Sequence, residues 1–171
     1  MYDGPTPIVV TLTYAQISMA AHVAVMRLTS NMKAGRKPRN GASRIWDMDV
    51  NGACGELATA LWLNLFWCGA LNNFEARDVG GLIDVRAGSK ADYRLILHDD
   101  DPDDVPFVNA WVELPIVKLA GWAFAHEGKR REFWQDPLGF RPAYFMPNKL
   151  LHPMAELRQW VERVGVMEVS T

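Results

Sequence analysis

At Asn72-Asn73 the spacing of apolar residues changes period, and this change constrains the fold more than any other feature of the chain. Before it, Ile17, Ala20, Ala21, Ala24, Val25 and Leu28 recur at helical spacing behind Thr13, which predicts a helix over about 14–32 capped by Thr13. A second helix is expected from about Asn51 to Cys68, ending at Gly69, with apolar positions almost all round it and so burial on several sides. Beyond the asparagines, alternation predicts strands over 74–79, 82–87, 93–98, 107–113 and 117–124, each bounded by Gly, Pro or Asp. A short strand over 143–146 and a helix over about 154–164 complete the pattern. Two helices, a run of strands and a closing helix predict an α+β domain, its helices packed on a largely antiparallel sheet.

At 171 residues, 49% of them hydrophobic, the chain is sized for one domain with its own core, which excludes a disordered tail. Cys54 and Cys68 are too few for a disulfide framework, so a reducing, cytoplasmic setting is expected. The opening Met1-Tyr2-Asp3-Gly4-Pro5 has no basic stretch leading into an apolar one, and no signal peptide is expected. The most apolar run, from Leu57 to Leu71, is interrupted by Asn64 and falls short of the roughly 20 residues that span a bilayer. No membrane partner is expected.

A formal charge of −2 hides strong segregation. Lys33, Arg36, Lys37, Arg39 and Arg44 follow one another with no acid before Asp47, whereas Asp99, Asp100, Asp101, Asp103 and Asp104 fill five of six successive positions. Either run alone reads as a solvated loop. The basic one also suits phosphate contacts on a polyanion such as DNA or RNA.

The sharpest local feature is Gly55-Glu56, followed by Asp78-Val79-Gly80-Gly81-Leu82-Ile83-Asp84-Val85-Arg86. With the helix starting near Asn51, Glu56 falls in or near its first turn, where the helix dipole tolerates a carboxylate. In an extended strand Ile83 and Val85 point one way, Asp84 and Arg86 the other. A three-residue loop of Gly80-Gly81-Leu82 would set Asp78 opposite Asp84 on one face, whereas a two-residue Gly80-Gly81 loop would send them to opposite faces. Opposed carboxylates would stand about 4.5–5.5 Å apart at Cβ and call for a proton, a base or a cation between them. Arg77 or Arg86 pairing with Asp84 is the plainer alternative.

The order Glu56 on a helix, Asp78 ending a strand, then Asp84-Val85-Arg86 resembles the PD-(D/E)xK nuclease superfamily. The stretches Gly52-Ala53-Cys54-Gly55-Glu56-Leu57-Ala58, Asp78-Val79-Gly80-Gly81, Val85-Arg86, Gly121-Trp122, Pro142-Ala143-Tyr144-Phe145-Met146-Pro147 and Leu151-His152-Pro153-Met154 are similar to small phage and prophage proteins. The resemblance covers roughly residues 50–158. Ahead of it lie a helix and a basic loop (1–49), after it a helix end and tail (159–171), all in a single domain. It implies a restriction-endonuclease-like mixed sheet of about five strands flanked by helices, with Glu56, Asp78, Asp84 and Arg86 converging as catalytic residues. It implies a Mg²⁺- or Mn²⁺-dependent DNA endo- or exonuclease in a bacterial host cell. Asp78 and Asp84 would hold the ion with the Val85 carbonyl, and Glu56 would complete the shell directly or through water. Lys33, Arg36, Lys37, Arg39 and Arg44 would bind nucleic acid.

Two departures from the family pattern stand out. Asp84 is shorter than the more frequent Glu, and Arg86 replaces the usual Lys. Arginine keeps its proton, so Arg86 can grip a phosphate or orient a hydroxide but cannot act as a general base. A catalytically inactive relative that binds nucleic acid, or a host or virion protein, is the alternative; a homo-oligomer is also open.

Other candidates carry less. His22, His98, His126 and His152 are scattered, and the cysteines lack zinc spacing. The aspartate run lacks the Gly and terminal Glu of a calcium loop. Lys118, Lys129, Arg130, Arg131 and Arg141, interleaved with Trp122, Phe133, Trp134 and Phe140, form a second basic region that would suit stacking on single-stranded bases, although most of those aromatics are expected in the core.

Overall fold

The first helix, α1 (Tyr14–Lys33), forms where periodicity places it and starts on a capping box: the Gln16 N–H donates to the Thr13 hydroxyl and the Thr13 N–H to the Gln16 side chain. The computed structural model that describes it covers residues 2–35, 45–70, 77–90, 93–137, 139 and 141–169. The second helix, α2 (Ile45–Leu63), begins ahead of the expected Asn51 and ends before Cys68. Asn64 stops it by taking a left-handed φ of 55°, and the Leu65 N–H donates back to the Ala60 carbonyl. Glu56 therefore lies in the middle of α2 and not in its first turn. The helix dipole does not account for its charge, and another partner must.

Four strands form a mixed sheet in the order β1 (Ile8–Thr11), β5 (Ile116–Phe124), β4 (Pro106–Glu113), β2 (Asp84–Gly88). β1 and β4 both run antiparallel to β5, whereas β2 runs parallel to β4 with Asp84 beside Phe107 and Arg86 beside Asn109. A separate antiparallel sheet joins β3 (Leu95–Leu97), β7 (Ala143–Met146) and β6 (Trp134–Gln135). The α+β class holds, but among the described residues seven strands in two sheets stand where one sheet of about five was expected. Ahead of β3 the Tyr93 carbonyl accepts from the Asn109 and Trp111 side chains of β4, while the backbone of β3 itself pairs with β7. Of the expected strand over 74–79, only 77–79 are described, and there Val79 makes isolated bridges to Trp67 and Ile83.

Two apolar cores result. The first lies between α1, α2 and one face of the four-stranded sheet, with Ala24, Leu57, Val85, Val108 and Leu119 buried in it. The second joins the opposite face to the smaller sheet through Leu95, Leu97, Phe107, Ala123 and Met146. α2 approaches β2 closely because Gly55 carries no side chain; a Cβ there would meet the Ala87 Cβ at 2.9 Å. α3 (Ala125–Gly128) follows β5 directly, and α4 (Met154–Val169) closes the first core with Met154 and Leu157. Among the described residues no helix is long and apolar enough to cross a membrane.

Candidate functional site

The bend ahead of β2 is the three-residue form. Val79 and Ile83 exchange both backbone hydrogen bonds, at 3.0 and 3.1 Å, around Gly80-Gly81-Leu82. Gly80 and Gly81 take φ values of 61° and 70°, a region that strains other residues. Asp78 and Asp84 therefore oppose each other across the bend. The Val85 N–H donates to Asp78 Oδ2 at 2.9 Å, and Arg77 Nη1 to Asp84 Oδ2 at 3.0 Å.

Glu56 reaches this bend from α2 but is held on both oxygens. Arg27 of α1 forks it, Nη1 to Oε1 at 2.7 Å and Nη2 to Oε2 at 2.9 Å, while the Trp67 indole N–H donates to Oε2 at 3.0 Å. Arg27 Nε is spent on the Ala70 carbonyl. Burial opposes the Arg27 charge, yet its bonds to Glu56 and the fields of Glu56, Asp78 and Asp49 hold its pKa above the usual value. Asp78 shows the cost of crowding: burial first, then the charge of Glu56, push its carboxyl up to about 7, against the Val85 hydrogen bond. Burial likewise raises Asp49, with Arg27 opposing.

The strand faces divide the remaining residues. Val85 packs toward Gly55 of α2, so Asp84 and Arg86 project from the other side of β2, with Asp78 at the edge between them and Glu56. Arg86 turns to the second core. Its Nη2 pairs with Asp101 Oδ1 at 2.7 Å, and its guanidinium lies 4.8 Å from the Phe107 ring centroid. Asp78 and Asp84 are thus neighbours across the bend, the Asp78 N–H lying 3.4 Å from Asp84 Oδ1, while Glu56 bears on Asp78 by its charge and Arg86 turns away to Asp101. Lys33 is exposed at the C-terminal end of α1; Arg36, Lys37, Arg39 and Arg44 lie outside the described residues.

The second basic region is absorbed by structure in part, with Arg130, Arg131 and Trp134 left exposed. Trp122 and Phe133 are buried, and Lys118 pairs with Glu113 at 3.5 Å. Lys129 inserts into the aspartate run, donating to the carbonyls of Asp99 and Asp101 and to Asp103 Oδ1. Phe140 lies outside the described residues.

No family model matches the chain, and neither a curated protein nor a solved structure matches it. Whatever the site does must be argued from its own residues. Among the described residues no three His, Cys, Asp or Glu side chains are gathered so as to hold a metal ion. Mg²⁺ is commonly bound through one or two carboxylates and keeps much of its water, but Asp78 Oδ2 already accepts from the Val85 N–H, and Asp84 from Arg77 and the Asp78 N–H, so an ion here would have to displace those contacts. Glu56 does not fit as a direct ligand, because Arg27 and Trp67 occupy its oxygens. Sequence reading missed Arg27, although a signal was present: it stands seven residues after Ala20, at a position of the apolar stripe where a charge implies a buried partner.

Proposed function

We propose that this chain is a nuclease-like protein, a divalent-cation-dependent phosphodiesterase acting on DNA, with Asp78 and Asp84 as its metal-binding pair. The observation that carries the reading is the bend itself. Two left-handed glycines set two carboxylates against each other, and Asp78 is crowded enough to hold its proton near neutrality. Perturbed carboxyls of this kind are typical of functional sites. A bound Mg²⁺ or Mn²⁺ would supply charge neutralisation at the phosphate and a more acidic water. The chain's own part is to hold Asp84 with Arg77, keep Asp78 fixed on the Val85 N–H and let Arg86 engage a neighbouring phosphate. The resemblance to the PD-(D/E)xK nucleases, and with it a restriction-endonuclease-like arrangement of phage origin, supports the same reading.

A second reading is favoured by a different observation. Glu56 is locked by Arg27 and Trp67, and Arg86 is tied to Asp101, so the same scaffold would bind nucleic acid without cutting it. The test is cleavage of plasmid and oligonucleotide DNA with Mg²⁺ or Mn²⁺. The phosphodiesterase requires cutting that stops with chelator and is lost in Asp84→Asn while the fold is kept. Binding without cutting under both metals selects the second reading, and absence of DNA binding at low salt eliminates both.

A further inference from the structure

Phe66 is the most exposed wholly apolar large side chain among the described residues, at 77%. An exposed apolar residue standing alone on a loose loop calls for no explanation. The backbone that carries this one is tied on both sides. Ahead of it the Leu65 N–H donates to the Ala60 carbonyl at 3.0 Å, and the Phe66 carbonyl itself accepts from the Gly80 N–H at 2.8 Å. Behind it the Trp67 indole is bonded to Glu56, and the Cys68 N–H donates to the Asp78 carbonyl at 3.3 Å. The ring is therefore presented from a fixed stretch while most of its surface stays in water. A group already held in place loses little freedom when a ligand covers it.

Its position is beside the carboxylate pair. The bonds from Gly80 to Phe66 and from Cys68 to Asp78 are those of a short antiparallel pairing in which Trp67 stands opposite Val79. Phe66 then stands opposite Gly80, with Asp78 as its diagonal neighbour, about 7–8 Å away. Gly80 offers the ring no side chain to pack on. The space that a Cβ of Gly80 would take is closed by Leu65, whose Cδ1 would lie 3.0 Å from it.

An uncharged ring next to acidic groups recruits a ligand through its face and not through charge. Nucleobases answer to this: each has a π-face, and stacking on an aromatic side chain is indifferent to sequence. Phenylalanine has no donor or acceptor with which to read the base edge. In a duplex the faces are covered by neighbouring pairs, so only a base that is unpaired or turned out of the stack can lie on Phe66.

We propose that Phe66 is a stacking platform for an unpaired base of single-stranded DNA, adjacent to the phosphate presented to Asp78 and Asp84. The placement of that phosphate rests on the phosphodiesterase reading above; the stacking of a base on Phe66 does not.

The test is fluorescence anisotropy of the full chain with a labelled single-stranded oligodeoxynucleotide and with a blunt duplex of the same sequence, at low salt with chelator present so that nothing is cut. The single strand is expected to bind more tightly. Phe66→Ala should weaken it about tenfold and leave the duplex unchanged. Phe66→Trp should bind as wild type does, whereas Phe66→Leu, which keeps apolar area without a ring, should bind as weakly as Phe66→Ala. Because the ring is mostly in water, all three variants should keep the wild-type urea midpoint. In saturated complexes a 2-aminopurine base in the strand should be quenched by wild type and not by Phe66→Leu, a readout that a merely structural role would not move. No binding of the single strand, equal binding by wild type and Phe66→Ala, or full binding by Phe66→Leu overturns the proposal. A dimer that dissociates in Phe66→Ala, seen by sedimentation, assigns the ring to a second copy and overturns it too. A chain that never cuts DNA but loses single-strand binding in Phe66→Ala keeps the stack and loses the phosphodiesterase. Metal-dependent cutting that is lost in Asp84→Asn, with an unchanged KM for single strands in Phe66→Ala, does the reverse.

Discussion

Replacing Asp78 by Asn should change how the stability of this protein depends on pH. In the folded chain the carboxyl is raised from 3.8 to about 7 by burial and by the charge of Glu56. Below pH 4 the folded and unfolded chains both carry the proton, and the group is neutral to stability. Between pH 4 and 7 the unfolded chain releases it and the folded chain does not, so the unfolded state binds fewer protons and stability falls as pH rises. Above pH 7 the folded carboxylate stands charged beside Glu56 and Asp84 and the full penalty applies. A shift of about 3 units corresponds to a ceiling of roughly 4 kcal/mol. Relaxation of Arg27 and Arg77 toward the new charge reduces this, and a span of about 2 kcal/mol is expected. Asn keeps an oxygen to accept the Val85 N–H and has nothing to titrate. Urea denaturation of both chains from pH 4.5 to 8.5 should show wild type losing about 2 kcal/mol more than Asp78→Asn across that range. Parallel curves would refute the reasoning and leave Asp78 with an ordinary carboxylate titration.

Two further outcomes follow from the packing around the bend. Arg27→Met leaves Glu56 buried without its partner and should cost about 3–5 kcal/mol in urea unfolding; Arg27→Met with Glu56→Gln should cost clearly less than the sum of the singles. Additive losses would mean the pair does not act as a unit. Gly55→Ala gains helix propensity but drives a methyl against Ala87 and Ala110, so a net loss of about 1–3 kcal/mol is expected, and a stabilised variant would show that α2 does not press on β2 as described.

The elements that sequence reading located well are those with long, regular signals. Thr13 and the alanine stripe fixed α1; β4, β5 and β7 fall at or within a residue of their expected bounds. β1 was missed because four residues give too few repeats to reveal a period. The start of α2 was misplaced because the stretch around Gly35, Pro38 and Gly41 reads as a loop up to Asp49, and that error made Glu56 look like a first-turn residue. The glycine bend was legible down to two loop alternatives, and backbone pairing selected one. What could not be read was partnership across the fold. Glu56 with Arg27 and Arg86 with Asp101 bring together residues far apart in sequence, and local periodicity carries no information about which charge meets which.

The parallel alignment of β2 with β4 has a consequence for chemistry. An antiparallel hairpin would have joined these strands by a turn of a few residues and left Arg86 bare on a solvated face. Parallel strands oblige the connecting chain to travel back along the sheet before β4 can begin. Here the returning chain carries the Ile96 carbonyl and the Asp101 carboxylate to Arg86 and the Tyr93 ring over Gly88. Strand direction alone thus turns the arginine of an edge strand into a tether for the chain that returns past it.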